Sequence, residues 1–144
     1  MIEFIDLPAE LKGAESELCI WLKEIAKNHN RRIGTMMCHF VKDEKIVEIN
    51  RIHLNHDYPT DIITFGYEEG VKISGEIYIG IETVIENASH IGVTAMDEIC
   101  RVISHGLLHL VGYNDEREDE KREMREAEEK CLVLRPKNLR SSKL

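Results

Sequence analysis

Between Thr94 and Val111 the apolar residues Ile99, Val102, Ile103, Leu107 and Leu110 recur at helical period, while Asp97, Arg101, His105 and His109 fall four apart on a second stripe. A helix with two such stripes buries one and keeps the other for polar chemistry, so the histidines lie off the evident core face. Thr94 with Asp97 three residues on, close to a capping box, marks the start of this helix. Gly112 marks its end, where a left-handed residue can reverse the chain.

Around this segment, helical and strand-type patterns mix without strict βαβ order. Ile2 to Ile5 reads as a short strand, and from Ala14 to Asn28 the residues Leu18, Trp21, Leu22, Ile25 and Ala26 make a helical stripe. Ile33 to Val41, rich in β-branched and apolar residues, predicts a strand. Asp43 is placed to cap the next helix, with Ile46, Val47, Ile49 and Ile52 as its inner face. Strands at Asp61 to Phe65 and Gly75 to Ile79 are expected on either side of an acidic, glycine-containing loop from Gly66 to Gly70. Glu82 to His90 predicts a helix, and a last one from about Glu116 to Leu132 carries Met124, Ala127, Cys131 and Leu132 as its stripe. The expected class is α+β, a single domain with a small mixed β-sheet packed with helices, or a three-layer variant of it.

A chain of 144 residues can bury such a core by itself, and its 42% hydrophobic and 32% charged residues argue against disorder. The longest apolar runs, such as Leu107 to Val111, are broken by His109 and fall far short of the roughly 20 residues of a membrane span. The N-terminus lacks a basic leader and a long apolar segment, so a cytoplasmic home is expected. Cys19, Cys38, Cys100 and Cys131 form no C-x-x-C pair and are expected as buried small hydrophobes. A net charge of -8 disfavours nonspecific nucleic-acid binding. That charge is uneven: nine acids face four bases between Asp115 and Glu129, and the last ten residues, 135–144, carry four bases and no acid. Such a basic tail is expected to be a solvated end rather than a docking site.

Residues i and i+4 of a helix project from one face, so His105 and His109 can offer imidazole nitrogens to a single ion. The turn at Gly112 can bring back Asp115 as a third ligand, leaving a fourth tetrahedral position open, as in catalytic zinc sites. The other reading makes both histidines ordinary helix residues and Asp115 the cap of the final helix. An open zinc site favours hydrolysis, because it supplies hydroxide near neutral pH and polarises carbonyl or phosphoryl oxygens. The pattern His-x-x-x-His-x-x-Gly-x-x-Asp has metzincin-type ligand spacing, but Gly106 stands where those proteases carry a glutamate general base. A glycine transfers no proton, which weighs against peptide hydrolysis and leaves phosphodiester chemistry open.

Four motifs, in order, resemble the YbeY family of bacterial rRNA maturation factors, metal-dependent endoribonucleases specific for single strands. The family's His-Gly-x-Leu-His-Leu-x-Gly-Tyr-Asp-His signature is matched by His105-Gly-Leu-Leu-His109-Leu-Val-Gly112-Tyr-Asn-Asp115. Its Pro-Thr-Asp-Val-Leu-Ser-Phe block is matched by Pro59-Thr-Asp-Ile-Ile-Thr-Phe65, preceded at the family's spacing by Asn50. Its Gly-Asp-Ile strand appears as Gly75-Glu-Ile77, and its closing Met-x-x-x-Glu helix as Met124 to Glu128.

The resemblance implies one zinc ion per chain on His105, His109 and Asp115, with the cleft between the penultimate helix and the sheet. It implies rRNA and the small ribosomal subunit as partners, with no membrane and no DNA. The implied activity is cleavage in small-subunit rRNA 3′-end maturation and ribosome quality control, with single-stranded RNA guided by the loop from His53 to Thr60. Two departures bear on this. Asp115 replaces the family's third histidine, adding negative charge and favouring harder ions. Leu54 stands where the family carries an arginine tied to RNA cleavage, with Arg51, His53 and His56 nearby as candidate substitutes or ordinary surface residues. Thr60, Asp61 and Glu76 are cleft candidates that also fit plain strand roles. The alternatives are a non-catalytic ribosome-assembly factor with a structural metal, or a zinc hydrolase of another substrate.

Overall fold

The computed structural model describes residues 1–56 and 58–140, with the backbone alone described at 68 and 69. Strand β1 (Ile2–Ile5) lies parallel to β2 (Arg32–Val41), joined by helix α1 (Glu15–Asn28). After α2 (Asp43–Leu54), strands β3 (Ile62–Glu69) and β4 (Lys72–Gly80) pair antiparallel, and β4 returns parallel to β2. The result is a mixed four-stranded sheet of order β1-β2-β4-β3. Helices α3 (Ile81–Ile91), α4 (Ala95–Val111) and α5 (Glu118–Val133) follow, and two short 3-10 turns, Ala9–Leu11 and Lys137–Leu139, lie before α1 and after α5.

Period-two alternation in β2 puts Met36, Cys38 and Phe40 on one sheet face. There they meet Leu18, Trp21, Leu22 and Ile25 of α1, and Ile99, Ile103 and Leu107 of α4. Met124, Ala127 and Cys131 of α5 close the same core, and the Trp21 indole Nε1 donates to the Cys131 carbonyl at 2.8 Å. On the opposite face, α2 seats Ile46 and Ile49 over Ile63. The molecule is thus the α+β arrangement in its three-layer form, with α2 alone on one side. Among the described residues, no helix is long and apolar enough to cross a membrane.

Several local expectations are corrected. The segment from Gly66 to Gly70 is not a loop: the ladder continues through Gly66↔Gly75, Tyr67↔Ser74 and Glu69↔Lys72, and the turn falls at Gly70 and Val71. Strand pairing needs only the backbone, so polar residues do not end a hairpin whose tip extends past the core. Ile52 is 64% exposed, because the buried face of α2 continues from Ile46 and Ile49 to Asn50. Asp43 is not the cap of α2 but its first residue; Lys42 is the cap, and the Asp43 N–H donates to Glu82 at 2.7 Å. The described part of the basic tail is docked. Leu139 is fully buried, and Arg135 donates to Asp97 and to the Leu139 carbonyl, both at 3.0 Å. The last four tail residues, 141–144, lie outside the described residues.

Candidate metal centre

Helix α4 begins where the sequence pattern placed it: the Thr94 hydroxyl accepts the Asp97 N–H at 3.1 Å. Its last two turns carry His105 and His109 side by side, and at Gly112 the chain takes φ +125°, a region that L side chains rarely adopt. The Gly112 and Tyr113 N–H groups both reach back to the Leu108 carbonyl, at 3.1 and 3.0 Å, which tightens the exit. This turn delivers Asp115. It does not cap α5, whose cap is Arg117, with the Glu120 carboxylate accepting the Arg117 N–H.

The two Nε2 atoms stand 3.0 Å apart, and Asp115 Oδ2 lies 3.2 Å from that of His105 and 3.4 Å from that of His109. Ligands about 2.0 to 2.1 Å from a tetrahedral ion lie about 3.3 Å from one another. The three edges bracket that value, so the residues fit a small divalent cation; one ligand atom from each falls within 4.8 Å of the others.

The far ends of both rings are tied. His105 Nδ1 meets Glu128 Oε2 at 2.5 Å, and His109 Nδ1 meets the Tyr113 carbonyl at 3.0 Å. A carbonyl or a carboxylate accepts, so each Nδ1 carries the proton and a neutral ring keeps its Nε2 lone pair. Two lone pairs and a carboxylate therefore point at one another. That geometry is repulsive unless a cation, proton or metal, sits among them.

Behind His105 lies a buried ionic network. Arg101 grips both oxygens of Glu98, at 2.9 and 2.6 Å, and donates to Glu128 Oε1 at 2.9 Å. Glu98 and Glu128 are almost fully buried. Burial pushes the Glu128 carboxyl up, but bonds from His105 and Arg101 together outweigh it and hold the group below the usual carboxylate range. Arg101 is pushed the other way, above the ordinary guanidinium value, chiefly by its bond to Glu98. A metal-ligating histidine whose other nitrogen donates to a carboxylate is the usual supporting arrangement of such centres.

Gly106 faces away from the ligands. A Cβ there would stand 2.8 Å from Ile62 Cδ1 and 3.0 Å from Ile77 Cδ1, so α4 presses its backbone onto β3 and β4 at this point. A glutamate at 106 would press into Ile62 and Ile77 on the sheet side of α4, away from the ligands. On the side away from α5, His109 lines a groove of about 440 Å³ with Thr64, Gly66 and Tyr67 of β3.

The upstream candidates are not gathered at the three ligands. Asn50 is buried and holds the following loop: its Nδ2 donates to the Tyr58 carbonyl at 2.9 Å, and its own carbonyl accepts the His56 N–H at 3.1 Å. His56 stacks on Tyr58, His53 meets the edge of Phe65, and Arg51 and Leu54 are exposed on α2. Asp57 of this loop lies outside the described residues. Thr60 donates weakly to Asp61, whose carbonyl accepts the Gly80 N–H at the start of β3. Glu76 alternates with buried Ile77, so it occupies the α2 face of the sheet, where His39, Tyr67 and Tyr78 all contact its carboxylate. The sheet separates it from the histidines. What the sequence pattern missed is the use of Glu128 and the Tyr113 carbonyl. One signal was available: Glu128 follows Met124 by four and so falls on the apolar stripe of α5.

Fold and site together define a small α+β protein with a His-His-Asp centre of metal-ligand geometry at the end of a core helix. The family model described as Endoribonuclease YbeY matches residues 8–134. An Endoribonuclease YbeY of Bacteroides thetaiotaomicron is 46% identical over 80% of this chain and 84% of its own length. That of Parabacteroides distasonis is 44% identical over 96% of this chain and 95% of its own. The solution structure of TM1509 from Thermotoga maritima superposes with a TM-score of 0.66 at 31% identity, covering 93% of this chain and 88% of that one. The chain belongs to the YbeY family.

Proposed function

We propose that this protein is a metal-dependent endoribonuclease of the cytoplasm that cuts single-stranded rRNA in small-subunit 3′-end maturation and ribosome quality control. One zinc ion per chain is held by His105, His109 and Asp115. The observation that carries the reading is the convergence of both imidazole Nε2 atoms and one Asp115 carboxylate oxygen at 3.0 to 3.4 Å from one another. The names of the relatives supply the reaction class.

A bound zinc ion supplies Lewis acidity toward a phosphoryl oxygen and makes water a nucleophile near neutral pH. The chain's own groups set the geometry. Glu128 and the Tyr113 carbonyl fix both ring tautomers, and Arg101 keeps Glu128 ionised. Asp115 brings a full negative charge where a third histidine would bring none, which favours harder ions. The loop pinned by Asn50 presents the stacked His56 and Tyr58 rings, flat surfaces of the kind on which unpaired bases stack. Arg51 and His56 are the candidates for contact with the scissile phosphate.

Leu54 favours a second reading. It is 46% exposed and apolar where the family pattern carries an arginine, as suits a ribosome-assembly factor whose metal is structural. One experiment separates the two: incubate metal-defined protein, wild type and His109→Ala, with immature small subunits and map the rRNA ends. Cleavage by the wild type alone supports the nuclease; binding without cleavage supports the factor. Turnover of another substrate with indifference to RNA would support a different zinc hydrolase.

A further inference from the structure

We propose that His29 is a positioning residue for the metal centre, acting through Tyr113. His29 closes the C-terminal end of α1, far in sequence from the ligands. Its Nδ1 lies 2.9 Å from the Ile25 carbonyl, which can only accept, so Nδ1 carries the proton and Nε2 is an acceptor. The Tyr113 hydroxyl, 3.2 Å away, donates to that Nε2, and the two rings meet edge to face at 83° with centroids 5.6 Å apart.

The other end of Tyr113 is the useful one. Its carbonyl accepts the His109 Nδ1 proton and so turns the Nε2 lone pair toward the centre, and the same peptide leads two residues on to Asp115. Gly112, just before it, offers little torsional resistance at its positive φ. Packing covers one side of the phenol ring, but a cavity of about 460 Å³, bordered by Ile25, Ala127 and Leu134, lies beside the His29–Tyr113 pair. The hydrogen bond to His29 therefore sets the ring's position, and the ring sets the carbonyl. Arg31 reinforces the clamp by donating to the Val111 carbonyl at 3.2 Å. The segment that leaves α1, His29 to Arg31, thus grips the exit of α4 at two points, both outside the ligand set.

This inference rests on the metal reading, and the test keeps the two apart. Zinc affinity of metal-stripped wild type, Tyr113→Phe, His29→Ala, the double variant and His109→Ala is measured by competition with a chromophoric chelator. Long-range proton–nitrogen NMR reads the His109 tautomer in the zinc-free proteins. Tyr113→Phe keeps the ring and its packing, so it should fold as the wild type does. Each single variant should bind zinc about tenfold more weakly, the double no more weakly than either, and His109 should lose its pure Nδ1–H form. Wild-type affinity and tautomer in Tyr113→Phe would overturn the role of His29. A wild type that binds zinc no better than His109→Ala overturns the metal reading itself, and this role with it.

Discussion

His105 depends on a residue 23 positions downstream, and that dependence separates what local spacing reveals from what it hides. The pair His105 and His109, the turn at Gly112 and the return of Asp115 all lie within one short stretch, so helical geometry alone made them legible. Glu128 was legible as a family-motif residue and as an acid on the apolar stripe of α5, but its use requires knowing that α5 packs beside α4. Replacing it tests the network. Glu128→Gln keeps the size but removes the charge that holds the His105 Nδ1 proton, and zinc affinity should fall about 10- to 100-fold by chelator competition. The zinc-free protein should also show a pH signature. The native pKa of Glu128 lies below the ordinary value, so its contribution is present above the unfolded pKa and lost as pH falls through the native one. Wild type should accordingly exceed Glu128→Gln in stability at neutral pH, with the gap closing in strong acid. A gap that stays constant through the acid range would show that the charge of Glu128 is not what stabilises the fold.

At the scale of elements, sequence patterning found each strand and α-helix among the described residues but missed the 3-10 turns at Ala9–Leu11 and Lys137–Leu139, and how the longer elements end. The β3–β4 hairpin is longer than its apolar residues suggest because Gly66 and the acidic segment pair through their backbones. In α2 four apolar residues implied one inner face, yet only Ile46 and Ile49 are buried, and the face is completed by polar Asn50. Gly106 illustrates a further limit. The sequence showed that a catalytic glutamate is absent; only the layer packing shows that a side chain there would press on Ile62 and Ile77. Two effects compete in Gly106→Ala. Helix propensity favours alanine by about 1 kcal/mol, while forcing a methyl into a packed interface costs roughly 1 to 3 kcal/mol. Buried Ile77 at 3.0 Å has little room to yield, so overpacking should win and urea unfolding should show a net loss of about 1 kcal/mol. A more stable Gly106→Ala would mean that α4 can lift from the sheet without cost.

At the scale of the whole molecule, the main core is one cooperative layer, and its cysteines can report on it. Cys38 on β2, Cys100 on α4 and Cys131 on α5 are all buried in it as expected, but Cys19 on α1, expected to be buried with them, is partly exposed. Burial pushes the Cys38 and Cys131 thiols up to about 12 and that of Cys100 to about 11. The thiolate is the reactive form, so these three should resist iodoacetamide at neutral pH, and Cys19 should be alkylated first. In low urea the three should become reactive together, at the rate set by global opening, because they sit in three different elements of one core. Zinc binds the folded chain through residues brought together only by folding, so excess zinc should slow all three equally. Cys19 should be unaffected. Mass mapping of the alkylated peptides reads every site in one experiment. If Cys131 alone became reactive early, α5 would be opening by itself, carrying Glu128 away from His105 while the rest of the core stays closed.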